Sequence, residues 1–308
     1  MKKNSNILIT GGTGSFGSKF IPLTLEKYNP KRLVVFSRDE IKQWDMQKVY
    51  QNDHRVRFFI GDVRDSTRLN RAFSNIDIVV HAAAMKHVPA SEYNPTECIA
   101  TNIQGAQNII DAAISNNVEK VIALSTDKAA APINLYGATK LTSDKLFISS
   151  NAYTGKHKTR LSVVRYGNVM GSRGSIIPFF LETKKTGILP ITDINMTRFM
   201  ISLDSAVDLV FHAFKDMVGG EIYVKKIPSI KVTDIAKVIA PEAKHEIIGI
   251  RPGEKMHEVL IPEDEARNVM EFENHFVIQP IQTFWGNKIG IKGGKKCPDN
   301  FTYASNIN

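Results

Sequence analysis

Short apolar runs alternate with longer amphipathic stretches through the first half of the chain. Asn6-Ile-Leu-Ile-Thr10 reads as a buried strand, with a helix from Ser15 to Lys27 after it. Arg32-Leu-Val-Val-Phe-Ser37 is a second strand, followed by a polar helix to about Asn52. Val56-Arg-Phe-Phe-Ile60, Ile76-Asp-Ile-Val-Val-His81 and Lys120-Val-Ile-Ala-Leu-Ser125 are further strands of the buried type. Pro95 sits where a helix would begin, and that helix runs to about Asn117. Another helix spans roughly Leu135 to Ala152, and Leu161-Ser-Val-Val-Arg-Tyr166 is the next strand. Continuous apolar strands separated by helices predict a parallel sheet covered on both faces. The fold class expected is α/β, a Rossmann-type doubly wound sheet.

After Tyr166 the pattern changes to Gly-rich turns, short helices and isolated strands such as Glu221-Ile-Tyr-Val224. We therefore expect a first domain over residues 1–166, a return to it between about 200 and 226, and a smaller lobe over most of 167–308. The tail from Gly286 is weakly patterned and is expected to need a partner subunit or a missing extension for its order.

Composition narrows the classes. No apolar stretch approaches the ~20 residues that span a bilayer, and Met1-Lys2-Lys3-Asn4 lacks the apolar region of a signal peptide. A cytoplasmic protein with no membrane contact is the expectation. Cys98 and Cys297 are the only cysteines, and the eight histidines form no His-x-x-x-His pair, so no metal is predicted. The formal charge of +9 suits a polyanionic ligand, whether nucleic acid, dinucleotide or nucleotide-sugar. Part of the excess lies in Lys288-Ile-Gly-Ile-Lys292-Gly-Gly-Lys295-Lys296, which reads as a solvated loop. No aromatic-flanked basic motif of the RNA-binding kind is present.

The first strand runs into Thr10-Gly11-Gly12-Thr13-Gly14-Ser15-Phe16-Gly17. Gly11, Gly14 and Gly17 at this spacing let backbone approach a pyrophosphate, which then sits on the helix N-terminus with Thr13, Ser15 and Phe16 around it. The triplet alone is weak; between a first strand and first helix it is specific. The second strand ends in Ser37-Arg38-Asp39-Glu40. Ser37 and Arg38, with Lys42 nearby, can clamp the 2′-phosphate of NADP, whereas Asp39 keeps NAD as a competitor. A bland alternative has Arg38 merely pairing with Glu40. Asp62 is placed to hydrogen-bond an adenine beside Val63, and Ala82, Ala83 and Ala84 can line the sheet edge, although alanines there also serve as plain core.

The fifth strand delivers Ser125-Thr126-Asp127-Lys128, and a loop leads to Tyr136-Gly-Ala-Thr-Lys140. Tyr136 and Lys140 share a helix face. Lys140 and an oxidised nicotinamide would lower the phenol's pKa, so that a tyrosinate takes the proton of a sugar hydroxyl that Thr126 also contacts. The rival reading of a Tyr-x-x-x-Lys spacing is an exposed helix pair.

This combination resembles the extended short-chain dehydrogenase/reductases over nearly the whole chain. The segments that carry the resemblance are Thr10 to Gly17, Phe59-Ile-Gly-Asp-Val-Arg-Asp65, His81-Ala-Ala-Ala-Met-Lys-His-Val-Pro89 and Ser125-Thr-Asp-Lys-Ala129. They continue with Arg165-Tyr-Gly-Asn-Val169, Met196-Thr-Arg-Phe199 and Arg251-Pro-Gly-Glu-Lys255. Within that family they are most similar to the short UDP-N-acetylglucosamine 4,6-dehydratases that invert carbon 5 on the route to pseudaminic acid. Retaining dehydratases carry Asp-Glu where this chain has Asp127-Lys128. The resemblance implies Asp127 as acid and Lys128 as base, the latter with a pKa depressed by Lys140 and the nicotinamide; an ion pair that only shapes the loop is the alternative. It also implies Lys86, Asn168, Thr197, Arg198, Arg251 and Glu254 around a UDP-sugar, the arginines being suited to a diphosphate. Surface salt bridges are the plainer reading of the arginines, and a turn residue that of Asn168. Lys86 is a candidate for cofactor or sugar, while His87 and His257 are read as structural. Longer membrane-attached relatives carry methionine in place of the tyrosine, so Tyr136 places the chain with the soluble kind, expected as a homo-oligomer. The rivals are a UDP-hexosamine 4-epimerase, which needs no pair acting at carbons 5 and 6, and a non-enzymatic NADP-sensing or nucleic-acid-binding protein.

Overall fold

The computed structural model describes residues 3–172, 174–281, 291 and 293–308. Six parallel strands, β1 (Asn6–Thr10), β2 (Arg32–Ser37), β3 (Val56–Ile60), β4 (Ile78–His81), β5 (Lys120–Thr126) and β6 (Arg160–Tyr166), lie in the order β3-β2-β1-β4-β5-β6. This is a doubly wound sheet whose order reverses between β1 and β4, the crevice in which such folds bind ligands. The strands are nearly continuous in Ile, Leu and Val because both faces are covered, and Ile7, Leu8, Val79, Val80, Val121 and Ile122 are fully buried.

Seven helices accompany these strands: α1 (Ser15–Tyr28), α2 (Glu40–Tyr50), α3 (Ser66–Ala72), α4 (Val88–Tyr93), α5 (Pro95–Ile99), α6 (Gly105–Ser115) and α7 (Leu135–Ser149). The helix expected from Pro95 to Asn117 is therefore not continuous. A π-helical turn at Ala100–Gln104 divides it and buries Asn102, whose side chain bonds Met85 N, Met85 O and Thr139 Oγ1. A polar side chain that ties three elements outweighs regular helix geometry at this point.

The sheet continues beyond β6. Strand Ile222–Lys225 pairs with β6 in parallel after helix Leu203–Asp216. Strands His275–Ile278, Val269–Glu271 and Lys295–Lys296 extend it antiparallel. Lys295 and Lys296 thus form a short edge strand rather than the predicted loop, although both stay exposed; Lys288 and Lys292 lie outside the described residues. The end of the chain also orders on the chain itself: Tyr303–Ala304 pairs with Val259–Ile261, and the Tyr303 hydroxyl bonds the backbone of Ile227.

Above the carboxyl ends of the strands, a second apolar cluster gathers Phe180, Leu189, Ile191, Met196, Met200, Val232 and Ile235. Around it lie strand pairs Ile188–Ile191 with Lys244–Ile247 and Thr197–Ile201 with Ser229–Lys231. Among the described residues no helix is long and apolar enough to cross a membrane.

Candidate active site

A cleft of about 1040 Å³ runs from the glycine loop to the second cluster. At one end α1 begins at Gly14 with no side-chain cap and no acidic residue in its first turn. Its free N–H groups and the helix dipole thus face the cleft, a ready anion site. Gly17 is not part of the lining. It lies behind the loop, where a Cβ would fall 2.0 Å from Gly12 O, so only glycine lets helix and loop meet. The donor set fits a dinucleotide diphosphate.

The loop after β2 decides the ribose end. Asp39 caps α2 by accepting from Lys42 N at 2.9 Å, and its second oxygen holds the Lys42 ammonium. Both the NAD-favouring carboxylate and one NADP-favouring cation are thus engaged with each other. Arg38 stays 68% exposed at the rim and lies 3.8 Å from Asp62 rather than against Glu40. Asp62 is itself gripped by Arg64 at 2.8 and 3.0 Å, which together with Arg38 holds its carboxyl below the usual range despite burial. Ser37, Val63, Ala82, Ala83, Ala84 and Lys86 all line the cleft.

The reactive end is built by β5 and α7. Thr126 closes β5, and its hydroxyl accepts from Lys128 N at 3.3 Å, turning Asp127–Ala129 into a short 3-10 turn. Asn134 caps α7 by accepting from Gly137 N at 2.8 Å and donates to Gly253 O at 2.7 Å. A Cβ on Gly137 would stand 2.2 Å from Lys128 O, so this glycine sets how closely Tyr136 approaches the turn. Thr126 Oγ1 lies 2.9 Å from Asp127 Oδ1 and also pairs with the Tyr136 hydroxyl.

Asp127 is fully buried, and its Oδ2 has no hydrogen-bond partner among the described residues. Burial raises its pKa against the lowering effect of Lys128. Lys128 Nζ donates to Asp127 Oδ1 at 3.0 Å and to Glu258 Oε1 at 3.1 Å. The depressed lysine pKa expected from the sequence is corrected here. Burial does lower it, but two carboxylates overcome that and push Lys128 above its ordinary value. Lys140 and Tyr136 need the same correction. Burial carries the Tyr136 phenol up to about 12, and the cation that opposes this is Lys128, not Lys140. Lys140 is buried and lowered by desolvation, with Asp144 acting against it. Asp144 in turn accepts from Ser125 Oγ at 2.7 Å and lies 3.6 Å from Arg165, which reaches Glu265 at 2.6 Å.

The far wall separates the remaining candidates. Asn168 and Glu254 line the cleft, and each holds a buried oxygen without a hydrogen-bond partner among the described residues, Asn168 Oδ1 and Glu254 Oε2. Arg251 is half exposed on the lining, 3.8 Å from Glu254 and over the Phe179 ring. Arg198 also touches the cleft, but its guanidinium is committed to Thr197 O at 2.7 Å, Met256 O at 3.2 Å and Glu258 at 3.8 Å. Thr197 is not brought to the cleft; its hydroxyl lies between His257 Nδ1 at 2.8 Å and Ser305 Oγ at 2.7 Å. His87 caps α4 and also lines the cleft, while His257 lies against Thr197. Glu258 escaped the sequence reading: nothing in Met256-His-Glu-Val-Leu260 distinguishes it, and only the fold carries it to Lys128.

The chain matches the model of the polysaccharide biosynthesis protein family over residues 7–280. It belongs to that family. This is the extended short-chain dehydrogenase/reductase type expected from the motifs, and the chain is an enzyme of the hydro-lyase class. Among family relatives, a UDP-N-acetylglucosamine 4,6-dehydratase (inverting) of Campylobacter jejuni is 53% identical over 100% of this chain and 94% of its own length. A UDP-glucose 4-epimerase of Rickettsia conorii is 43% identical over 89% of this chain and 83% of its own. The X-ray structure of Pen from Bacillus thuringiensis superposes with a TM-score of 0.90 at 40% identity, covering 98% of this chain and 94% of that one.

Proposed function

We propose that the protein is an NADP-dependent UDP-N-acetylglucosamine 4,6-dehydratase that inverts carbon 5. The observation that carries this reading is the Asp127–Lys128 pair, set beside Thr126 and Tyr136 in one cleft. The 53% identical relative of the same activity supports it. When bound, the dinucleotide supplies hydride acceptance from carbon 4 of the sugar and hydride return to carbon 6.

The chain's residues supply the proton chemistry. Tyr136, paired with Thr126, takes the proton of the 4-hydroxyl as a phenolate, a form that Lys128, the Thr126 hydrogen bond and the positive charge of an oxidised nicotinamide would favour against burial; the ketone so formed acidifies the proton on carbon 5. The direct hydrogen bond from Lys128 to Asp127 lets one proton cross, turning an ammonium and a carboxylate into an amine and a carboxylic acid. The amine removes the carbon 5 proton; the acid protonates the departing 6-hydroxyl, and water leaves. The orphan oxygen Asp127 Oδ2 is the atom free to meet that hydroxyl. Reprotonation of carbon 5 from the opposite face by a solvent-derived proton, balanced by release to solvent of the proton Tyr136 took, gives the 4-keto-6-deoxy-L-sugar nucleotide, a precursor suited to pseudaminic acid and other surface glycans.

NADP is favoured over NAD because Asp39 is held by Lys42 while Arg38 remains open at the rim. The Rickettsia relative keeps a 4-epimerase as the second reading. Incubation with UDP-N-acetylglucosamine in deuterated water separates the two by proton spectroscopy. A new methyl signal, a 4-ketone and deuterium at carbon 5 with L-ring couplings are expected; UDP-N-acetylgalactosamine without a methyl signal would overturn the dehydratase.

A further inference from the structure

Away from the cleft, three ligating side chains that are remote in sequence converge on the outer part of the sheet. His212 and Asp216 stand one turn apart on helix Leu203–Asp216, and His275 opens strand His275–Ile278. The two imidazole Nε2 atoms are 3.2 Å apart, and Asp216 Oδ2 is 3.9 Å from His212 Nε2. One ligand atom from each residue falls within 4.8 Å of the others. Two imidazoles bound at ~2.0–2.1 Å to one tetrahedral ion would hold their nitrogens about 3.3 Å apart, close to the separation seen.

The surroundings fix this geometry. Phe272 stacks on the His275 ring at 4.8 Å and 5°, and the Tyr223 ring packs against both histidines. The Tyr223 hydroxyl is buried without a hydrogen-bond partner among the described residues and feels the Asp216 charge. Lys226, next to the site in the sheet, is paired with Glu271 at 2.7 Å. His212 is 42% exposed, which leaves an entry path and room for a water as fourth ligand.

We propose that His212, Asp216 and His275 form a binding site for a divalent transition metal of the zinc class. Imidazole nitrogens with one carboxylate select zinc, nickel or copper over magnesium and calcium. A bound ion would staple helix Leu203–Asp216 to strand His275–Ile278, which continues the sheet antiparallel to Ile222–Lys225.

The test is calorimetric titration of chelator-stripped full-length protein with zinc chloride, with magnesium chloride as control, alongside thermal melts. One zinc per chain, a raised Tm and no response to magnesium are expected. His212→Ala and Asp216→Asn, both at partly exposed positions, should each weaken zinc binding at least tenfold while melting like the parent in chelator. No zinc uptake by the parent would show the histidines to be only hydrogen-bonded to each other. Uptake unchanged in His212→Ala and in His275→Gln would place the ion elsewhere; either result overturns the site.

Discussion

Glu258 Oε1 lies 3.1 Å from Lys128 Nζ, which also holds Asp127 Oδ1 at 3.0 Å. Glu258 is 2% exposed, and its second oxygen has no hydrogen-bond partner among the described residues, so its charge acts on Lys128 with little screening. Removing that charge should lower the Lys128 pKa. Glu258→Gln is expected to reduce kcat roughly tenfold or more, within the range for disturbed acid–base groups. The pH–rate limb set by Lys128 should shift towards lower pH, with KM little changed. An unaltered profile would remove Glu258 from the charge cluster.

Arg38 is the rim cation still available to a ribose phosphate. Charge-assisted hydrogen bonds contribute about 1.5–3 kcal/mol, so Arg38→Ala should weaken NADP about 10- to 100-fold. NAD affinity should hardly move. Fluorescence titration with both dinucleotides decides it, and equal losses would sink the NADP assignment.

Gly17 meets Gly12 backbone at a distance no side chain tolerates. Gly17→Ala should separate α1 from the loop, costing on the order of 1–3 kcal/mol as an overpacking change. Thermal melts with and without dinucleotide should show a lower Tm and a smaller ligand-induced rise. A variant that melts and responds like the parent would contradict the close approach.

His81 is buried beside Lys140 and accepts or donates at Thr10 Oγ1, 2.8 Å away. Burial first, then Lys140, takes its pKa from 6.5 to about 3. The unfolded chain therefore binds a proton that the folded one refuses between those values. The contribution of neutral His81 is complete above pH 6.5 and is lost as pH falls, by about 1.4 kcal/mol per unit down to about 3. Urea melts across pH 4–7 should show this slope, and His81→Gln should flatten it.

Local rules made much of this legible. The strands announced themselves through unbroken Ile, Leu and Val, and the glycine loop through its place between strand and helix. Tyr136, Lys140, Asp127 and Lys128 stood out because their short spacings sit on one turn and one helix. What stayed hidden depends on distance along the chain. Glu258 reaches Lys128 from 130 positions further along the chain, and Arg198 spends its donors on carbonyls that no spacing could reveal. Protonation was misjudged for the same reason, since the sign of the Lys128 shift is set by a carboxylate from another element.

The last ordered turn has a practical side. Ser305 Oγ accepts from Glu258 N at 2.9 Å and meets Thr197, so the carboxyl tail is a brace behind the charged wall of the cleft. Losing the Ser305 hydroxyl would loosen that wall without touching the doubly wound sheet.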